Sequence, residues 1–320
     1  MRLKVIKWLV WLIMAVLLMF TGLGAAAEGE FPELNEDGFL DSGEFVYENP
    51  EDGVWRYVSD TLKIEIFRMK QKKPVQVWYE AEIWCAEGSE MPHMIPNNSE
   101  AWFGNKNADY PYKICRKTGT VLAVNSDYCQ TRMQQKITVG IIIRNGVIYS
   151  ERTKAKGGKW PNLDCLALFP DGDMQVYYSN EKTAQEYLND GVQDVLSFGP
   201  WLIRDGEMNT KALEKYGRSK APRTAVGMVE KGHYFFMMLE GRLKGRSDGA
   251  GIDFLAEKLQ EKGCQTAFNL DGGDTCSIVF MGHQICQMTL EGNGKKSGRR
   301  THDILGVGTS DLLPSLDDPF

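Results

Sequence analysis

The chain has 320 residues, 42% of them hydrophobic, with 8 Trp and 14 Phe, so it holds enough apolar material for one large core or two ordinary ones. This composition excludes disordered and repetitive proteins. The formal net charge of −6 argues against a protein that binds nucleic acid or an anionic membrane surface.

The first 27 residues have the pattern of a secretory signal peptide. Arg2, Lys4 and Lys7 precede an apolar block at 8–20, and a run of small residues ends at Ala27. The apolar block is shorter than the roughly 20 residues that a membrane-spanning helix needs, so cleavage is favoured over retention as an anchor. We therefore expect a secreted or extracytoplasmic protein, attached to a membrane only if residues 1–27 stay uncleaved.

Residues 28–52 are acidic and poor in aliphatic side chains, which predicts a linker. A single domain is expected at 53–311, followed by a short tail at 312–320. Within the linker, residues 33–44 match an EF-hand calcium loop at several positions. However, Glu33 stands where the motif has Asp, and neither flank has a helical pattern, so a solvated linker is favoured over a calcium loop.

The cysteines and histidines indicate no zinc site, because the histidines lack metal-ligand spacing and no C-x-x-C pair exists. Export allows oxidised pairs, but the number of cysteines is odd and a chain of this size does not need them. Several are therefore expected to be buried as small hydrophobic residues. The cysteines stand at positions 85, 115, 129, 165, 264, 276 and 286.

Alternating hydrophobic residues dominate the chain from Val54 onward and predict antiparallel strands, most clearly at 62–67 and 75–84. Residues 91–112 are rich in Pro and Asn and are predicted to form a loop. Further along, tight turns at 145–146 and 170–173 predict two hairpins. Helices are few and short, so we expect an α+β fold, with a mixed, largely antiparallel sheet and a few packed helices.

Two short helices are predicted between the strands. One covers 183–189 and stops before a glycine. The other has Ile252, Leu255 and Leu259 at helical spacing and Gly263 where a helix C′ residue belongs. Ser247 or Asp248 can cap this second helix, or Ser247 and the helix start can together contact an anion. The sequence leaves these two alternatives equal.

Several predicted strands begin or end in polar side chains. The strand at 121–128 ends near Asn125 and Asp127, and the run at 234–239 ends in Glu240-Gly241-Arg242. The strand at 221–227 opens with Arg223 and Thr224. A polar side chain at the mouth of a buried strand is held on a rigid support, which suits a functional site.

The stretch from Ala267 to Val279 has the same design, with two glycines directly after Asp271. Adjacent glycines let the backbone approach another group closely, and successive N–H groups can form an anion site. The alternative is a plain hairpin turn, because Asp-Gly-Gly-Asp is also good turn chemistry.

With these residues collected, the chain resembles the phosphodiester glycosidase family from about residue 121 to residue 308. Five short motifs, in the family's order and with family-like gaps, carry the resemblance. They are Val124-Asn125 with Asp127-Tyr128, Phe198 to Leu202, Pro222 to Gly227, Glu240-Gly241-Arg242 followed by Ser247, and Asn269 to Gly273. The chain departs from the family pattern at Glu240, where the family usually has Asp, and at Asp274, where a third glycine is usual.

The resemblance implies hydrolysis of a sugar joined through its anomeric carbon to a phosphodiester. Ordinary glycosidases need one carboxylic acid for a poor leaving group and a second carboxylate for attack. Phosphate is already a stable anion, so the need for a general acid falls and the need for anion recognition rises. The resemblance therefore implies Asp271 as base or nucleophile, with Glu240 and Asp127 as further catalytic candidates.

Arg223 and Arg242 are expected to clamp phosphate oxygens, and Asn125 is expected to fix sugar hydroxyls. The other substrate-binding candidates are Thr224, Ser247, Asn269, Gly272, Gly273 and Thr275. No cofactor is expected, although the acidic pocket leaves room for a divalent cation such as calcium, with ligands that the sequence does not identify. The expected partner is a phosphorylated carbohydrate substrate, and no nucleic acid is expected to bind.

Two other functions compete with the hydrolase. In the first, the same pocket, altered at Glu240 and Asp274, only binds phosphorylated glycans and does not cleave them. The extra carboxylate at Asp274 in a phosphate-facing loop bears on which substrate is bound and on whether it is cleaved. The second competitor is a structural module in which the motifs are only turns. Such a module predicts that substitution of Arg223 changes neither binding nor activity.

Overall fold

The computed structural model describes residues 31–100, 102–103, 107–127, 139–153, 163–217, 219–288 and 298–318. The predicted signal peptide at 1–27 lies outside these residues. Across the described ranges, no helix is long and apolar enough to cross a membrane.

The fold is α+β, as predicted, and is built from antiparallel sheets. In the described part of the chain the largest sheet has nine strands. In spatial order they are β1 (Phe45–Asn49), β2 (Val54–Val58), β3 (Leu62–Lys72), β4 (Val75–Cys85), β15 (His233–Leu239), β14 (Arg223–Glu230), β16 (Thr266–Asn269), β12 (Trp201–Arg204) and β13 (Glu207–Met208).

Two smaller sheets pack against the large one. The second sheet has the order β10 (Met174–Tyr177), β9 (Asp164–Leu168), β11 (Asp194–Phe198), β7 (Gly140–Arg144) and β8 (Val147–Arg152). The third has the order β18 (His283–Gln284), β17 (Ile278–Phe280), β6 (Thr120–Asn125), β19 (Asp303–Thr309) and β5 (His93–Pro96). The helices among the described residues are α1 (Pro111–Thr118), α2 (Ala184–Asn189), α3 (Thr210–Tyr216) and α4 (Ile252–Glu261).

The main hydrophobic core lies between the three sheets. It contains Ile64 of β3, Val124 of β6 and Leu166 of β9, all of them buried. Leu255 and Leu259 of α4 cover the opposite face of the large sheet, so its central strands are buried on both sides. Burying apolar surface is the main force that holds such layers together, and here it places the ends of β6, β14 and β16 near one another.

The tight turns and the helix ends agree with the sequence patterns. Asn145 and Gly146 both have positive φ, 46° and 73°, as the two-residue hairpin turn between β7 and β8 requires. Thr183 caps α2 through a capping box with Glu186. Gly263, directly after the C-cap of α4, has a φ of 83°.

The loop predicted at 91–112 contains regular structure at both ends. β5 (His93–Pro96) pairs with β19, and α1 starts at Pro111. The prolines that suggested a loop occupy positions where proline is tolerated: Pro96 is the last residue of an edge strand, and Pro111 is in the first turn of a helix.

The predicted linker at 28–52 contains a strand. β1 pairs with β2 along its whole length, from Phe45 opposite Val58 to Asn49 opposite Val54. Before it, Oδ1 of Asn35 accepts hydrogen bonds from the main-chain N–H groups of Asp37 and Phe39. This local turn accounts for the Asn and Asp residues that resemble a calcium loop, and the predicted linker is corrected at 45–49, which belong to the large sheet.

The predicted tail at 312–320 is fastened to the domain over its described part. Nη1 of Arg116 donates to the carbonyl oxygens of Ser315 and Asp318. The six cysteines among the described residues are all buried and all free, which fits their predicted role as small hydrophobic side chains. Cys129 lies outside the described ranges.

Candidate active site

The glycine-rich stretch after β16 joins two different sheets. β16 belongs to the large sheet and β17 to the third sheet, and a 3-10 turn at Gly273–Thr275 lies between them. A hairpin turn would pair its two flanking strands with each other. The structure therefore excludes the hairpin interpretation of the Asp271 to Asp274 motif.

Asn125, at the end of β6, holds this stretch in place with a fully buried amide. Its Nδ2 donates to the carbonyl oxygens of Ser126 at 3.1 Å and Asp271 at 2.9 Å. Its Oδ1 accepts from Oγ1 of Thr224 at 2.7 Å and from the N–H of Ser277 at 3.1 Å. The hydrogen-bonding capacity of the amide is used inside the protein, so Asn125 and Thr224 position the site, and a contact with sugar hydroxyls would break one of these bonds.

Asp271 lies at the mouth of the stretch with 6% of its surface exposed. Its Oδ1 accepts from the N–H of Gly272 at 2.9 Å, and its main-chain carbonyl is held by Asn125. The nearby thiol of Cys276 is buried, and burial raises its pKa to about 12. That thiol is protonated at neutral pH, so the carboxylate of Asp271 is the better candidate for attack or proton transfer.

Gly241 lets two chain segments meet beside this carboxylate. A Cβ at Gly241 would lie 2.6 Å from the backbone nitrogen of Pro222, a distance that side-chain carbons do not adopt. Only glycine therefore permits the Glu240-Gly241-Arg242 turn to touch the start of β14. Arg242 itself has a φ of 57°, an uncommon conformation for a residue with a side chain and one that clusters at functional sites.

The guanidinium groups of Arg223 and Arg242 border the two glycines. A Cβ built on Gly272 would lie 3.6 Å from Nη1 of Arg223, and one on Gly273 would lie 3.4 Å from Nη1 of Arg242. Burial is the main cause that lowers the pKa of Arg223, and the charge of Arg242 acts in the same direction. The predicted convergence of Arg223, Arg242 and the glycine pair is thus present in the structure.

The two arginines keep hydrogen-bond donors available. Arg223 uses Nη2 on the carbonyl of Ser219 and Nε on that of Ala250. Its Nη1 forms no hydrogen bond within the described ranges, and neither do Nη2 and Nε of Arg242. These donors are suited to oxygen atoms of an anionic ligand.

Arg299, which none of the sequence motifs contains, also lies at the glycine-rich stretch. Its Nη1 donates to Oγ1 of Thr275 at 2.9 Å, and its Nη2 lies 3.6 Å from Oδ2 of Asp274. The other oxygen of Asp274 accepts from Nη1 of Arg242 at 3.2 Å. Asp274 therefore bridges two guanidinium groups. The only sequence signal for Arg299 is a pair of arginines in an acidic chain.

Glu240 lies beneath the site as a fully buried carboxylate. Arg246 donates two hydrogen bonds to this carboxylate, from Nε to Oε2 at 2.5 Å and from Nη2 to Oε1 at 2.9 Å. The hydroxyl of Tyr79 and the N–H of Gln287 donate to Oε1 as well, at 3.1 and 2.8 Å. The structure gives Glu240 a structural ion pair, with Arg246 as the partner that sequence analysis missed.

Asp127 is also fully buried, in a network between the second and third sheets. Its Oδ1 accepts from Nη2 of Arg144 at 3.2 Å, and its Oδ2 accepts from the N–H of Ser197 at 2.7 Å. Nε of Arg144 donates to Asp303 at 2.8 Å. Burial by itself lowers the pKa of Arg144, but Asp303 and Asp127 outweigh it and hold that pKa above its usual range. Asp127 is thus fixed by Arg144 and Ser197, between the second and third sheets.

Ser247 does not cap α4, whose N-cap residue is Gly251. Oγ of Ser247 instead donates to the carbonyl of Glu240 at 2.6 Å and accepts from the N–H of Val77 at 3.1 Å. The alternative cap, Asp248, is also excluded, because the helix start makes no side-chain cap hydrogen bond. Ser247 therefore fixes the Glu240 turn against β4.

Asn269 is buried directly before the glycine-rich stretch. Its Nδ2 donates to the carbonyl of Gly199 at 2.8 Å, whereas its Oδ1 has no hydrogen-bond partner among the described residues. Buried acceptors are almost always bonded, so this oxygen is an exception within the described part of the chain. Within the described ranges, no group of three or more His, Cys, Asp or Glu side chains is placed to hold a metal ion.

Comparison with known proteins gives the family of the chain. Residues 118–308 match the family model described as phosphodiester glycosidase. The chain is 25% identical over 189 residues to the SPbeta prophage-derived uncharacterized protein YomE of Bacillus subtilis. The matched region covers 58% of this chain and 28% of that protein. The chain is also 26% identical over 184 residues to bovine N-acetylglucosamine-1-phosphodiester alpha-N-acetylglucosaminidase. That matched region covers 53% of this chain and 33% of the bovine protein.

The matches thus span about a third or less of these relatives' own lengths. Among solved structures, the catalytic domain of the zebrafish N-acetylglucosamine-1-phosphodiester alpha-N-acetylglucosaminidase, auto-inhibited by its pro-peptide, has a TM-score of 0.59 at 16% identity. That likeness covers 79% of this chain and 85% of the zebrafish chain, and at this identity it shows the shared fold. Because the family model covers more than half of the chain, the protein belongs to the phosphodiester glycosidase family.

Proposed function

We propose that the protein is an exported hydrolase that cleaves the bond between the anomeric carbon of a sugar and a phosphodiester. The observation that carries the proposal is the meeting of Arg223, Arg242 and the Gly272-Gly273 pair beside Asp271. The mammalian relatives' name supports a substrate of the N-acetylglucosamine-1-phosphodiester class. Export rests on the sequence pattern of residues 1–27.

The chemistry assigns one role to the arginines and another to the carboxylate. Nη1 of Arg223 and the donors of Arg242 bind the phosphate oxygens, and this contact also stabilises the charge that develops as the phosphate departs. Asp271 acts as the base for water or as the nucleophile at the anomeric carbon. Since phosphate leaves as a stable anion, the reaction proceeds without the second carboxylate that ordinary glycosidases use.

Several other predicted residues hold the main chain of the site or form ion pairs inside the fold. Asn125 and Thr224 hold the main chain of the site, and the pairs Glu240–Arg246 and Asp127–Arg144 are structural. We therefore assign Glu240 and Asp127 no part in the reaction. Asn269 holds the main chain at Gly199 directly before the glycine-rich stretch.

An Asp271→Asn variant tests the proposal, because the amide oxygen can still accept from the N–H of Gly272. We expect release of free sugar from a sugar-1-phosphodiester to fall by about a thousandfold or more, in a variant whose folding is checked by its melting temperature. Asp248→Asn, which removes an exposed carboxylate elsewhere, is the matched control. Undiminished turnover in Asp271→Asn would refute the assignment.

A second function, non-catalytic binding of phosphorylated glycans, is favoured by one observation. Asp274 bridges Arg242 and Arg299, so a carboxylate already occupies part of the anion site. Thermal stabilisation by the diester with no product after long incubation would support this binder, and multiple turnovers would exclude it.

For the hydrolase, a reaction run in ¹⁸O-labelled water locates the cleaved bond, since label in the sugar indicates cleavage at carbon.

A further inference from the structure

Asp274 stands between two guanidinium groups at the surface of the site. Its oxygens lie 3.2 Å from Nη1 of Arg242 and 3.6 Å from Nη2 of Arg299, while Arg299 also binds Thr275. A phosphate with two non-bridging oxygens suits the same two cations. Asp274 therefore lies where its charge acts on any phosphate group bound by these arginines.

Stability does not account for this carboxylate. The side chains of Arg242 and Asp274 are 52% and 27% exposed, and ion pairs at such exposure contribute little to folding. By comparison, two hydrogen bonds join Arg246 to the buried carboxylate of Glu240, whereas one joins Arg242 to Asp274. The charge of Asp274 thus has its main effect on what binds at Arg242 and Arg299.

The charge of the phosphate group changes during the proposed reaction. A phosphodiester carries one negative charge at neutral pH. Cleavage between the anomeric carbon and oxygen adds the elements of water, so the sugar gains a hydroxyl and the phosphate becomes a monoester that loses a further proton. Since the second pKa of a phosphomonoester is about 6, the product carries nearly two charges at pH 7.5.

We propose that Asp274 is a specificity-determining residue that shifts the selectivity of the Arg242–Arg299 pair towards phosphate monoanions and away from dianions. The inference rests on the proposed function for its biological meaning, because it favours the diester substrate and promotes release of the monoester product. Its carboxylate orients the two guanidinium groups when no ligand is bound. It repels the second charge of a phosphomonoester more than it repels the single charge of a diester.

The test measures binding directly, so it does not depend on turnover. Isothermal titration at pH 7.5 compares methyl phosphate, a dianion, with dimethyl phosphate, a monoanion, on the full chain. In Asp274→Asn, we expect affinity for methyl phosphate to rise about tenfold and affinity for dimethyl phosphate to rise by about threefold or less. Asp248→Asn removes the same formal charge at an exposed position beside Lys220 and is expected to match the unmodified protein.

A second variant guards against an indirect effect of the amide. Asp274→Glu keeps the charge, so it is expected to keep the ratio of the two affinities close to that of the unmodified protein, whatever its effect on absolute affinity. An unchanged ratio of the two affinities in Asp274→Asn, or an equal change in Asp248→Asn, would overturn the proposal. Either result leaves the hydrolase proposal standing, because that proposal depends on Asp271 and on sugar release.

Discussion

Removing the guanidinium of Arg246 tests whether Glu240 is structural. Arg246→Ala deletes both charge-assisted hydrogen bonds to a carboxylate that is fully buried and leaves it with Tyr79 and Gln287 as donors. Breaking a buried ion pair by removing one partner costs about 3–5 kcal/mol. Because the side chain of Arg246 is 36% exposed, water can reach the vacated side of Glu240, so we expect the lower end, about 3 kcal/mol.

The measurement is urea unfolding of Arg246→Ala, Glu240→Gln and the double variant at neutral pH. The double variant is expected to be less destabilised than the sum of the single variants, because no buried charge is left unpaired. Glu240→Gln is further expected to keep its turnover number within about tenfold of the unmodified protein, in contrast to the roughly thousandfold loss expected of a reacting carboxylate. A loss below about 1 kcal/mol in Arg246→Ala, or a stably folded Glu240→Gln without activity, would refute this reasoning.

The other predictions concern the packing and the titration of the site's surroundings. Gly241→Ala places a Cβ 2.6 Å from Pro222, so we expect urea unfolding to show a loss of about 1–3 kcal/mol, and the KM for a phosphodiester to rise as Arg242 shifts. Asn125→Ala leaves buried groups unsatisfied at Thr224 and in the backbone, so we expect a loss of about 3 kcal/mol or more by the same measurement. Burial raises the pKa of Asp164 from 3.8 to about 6, so the folded state holds this proton more tightly than the unfolded chain does. The free energy of unfolding should therefore fall by up to about 3 kcal/mol as the pH rises from about 4 to about 6. Urea unfolding measured across that pH range should show a smaller fall in Asp164→Asn.

Local sequence patterns predicted the features that depend on local physics. The Asn145-Gly146 turn, the helix that stops before Gly263 and the alternating strands from Val54 follow from backbone preference and side-chain period, and each is present. β1 was missed because its five residues sit in acidic surroundings and gain their place only by pairing with β2. A strand that depends on a partner elsewhere leaves little trace in its own sequence.

The sequence alone could not show which of the carboxylates at the strand ends form ion pairs inside the fold. Asp127, Glu240 and Asp271 each follow a buried strand, and that shared position does not show which of them pairs with an arginine inside the fold. Their roles depend on which arginine the fold brings to them: Arg144 comes from the second sheet, and Arg246 comes from the turn after Glu240. Only the assembled sheets decide which carboxylates become counterions and which one lies beside the glycine pair.

The division between buried and surface contacts explains how the site can recognise an anion in an acidic chain. Beneath the site, Asn125 ties β6 to the glycine-rich stretch through uncharged hydrogen bonds, so the main chain is held without drawing on an arginine. Arg223 and Arg242 therefore keep donors that no described residue uses. If their charges were instead needed to hold the loop, a phosphate would compete with the fold itself. Because an amide holds the loop, Asp274 is the one carboxylate among the described residues that pairs with Arg242 and Arg299, and its charge is the one that we propose adjusts which phosphate charge state binds there.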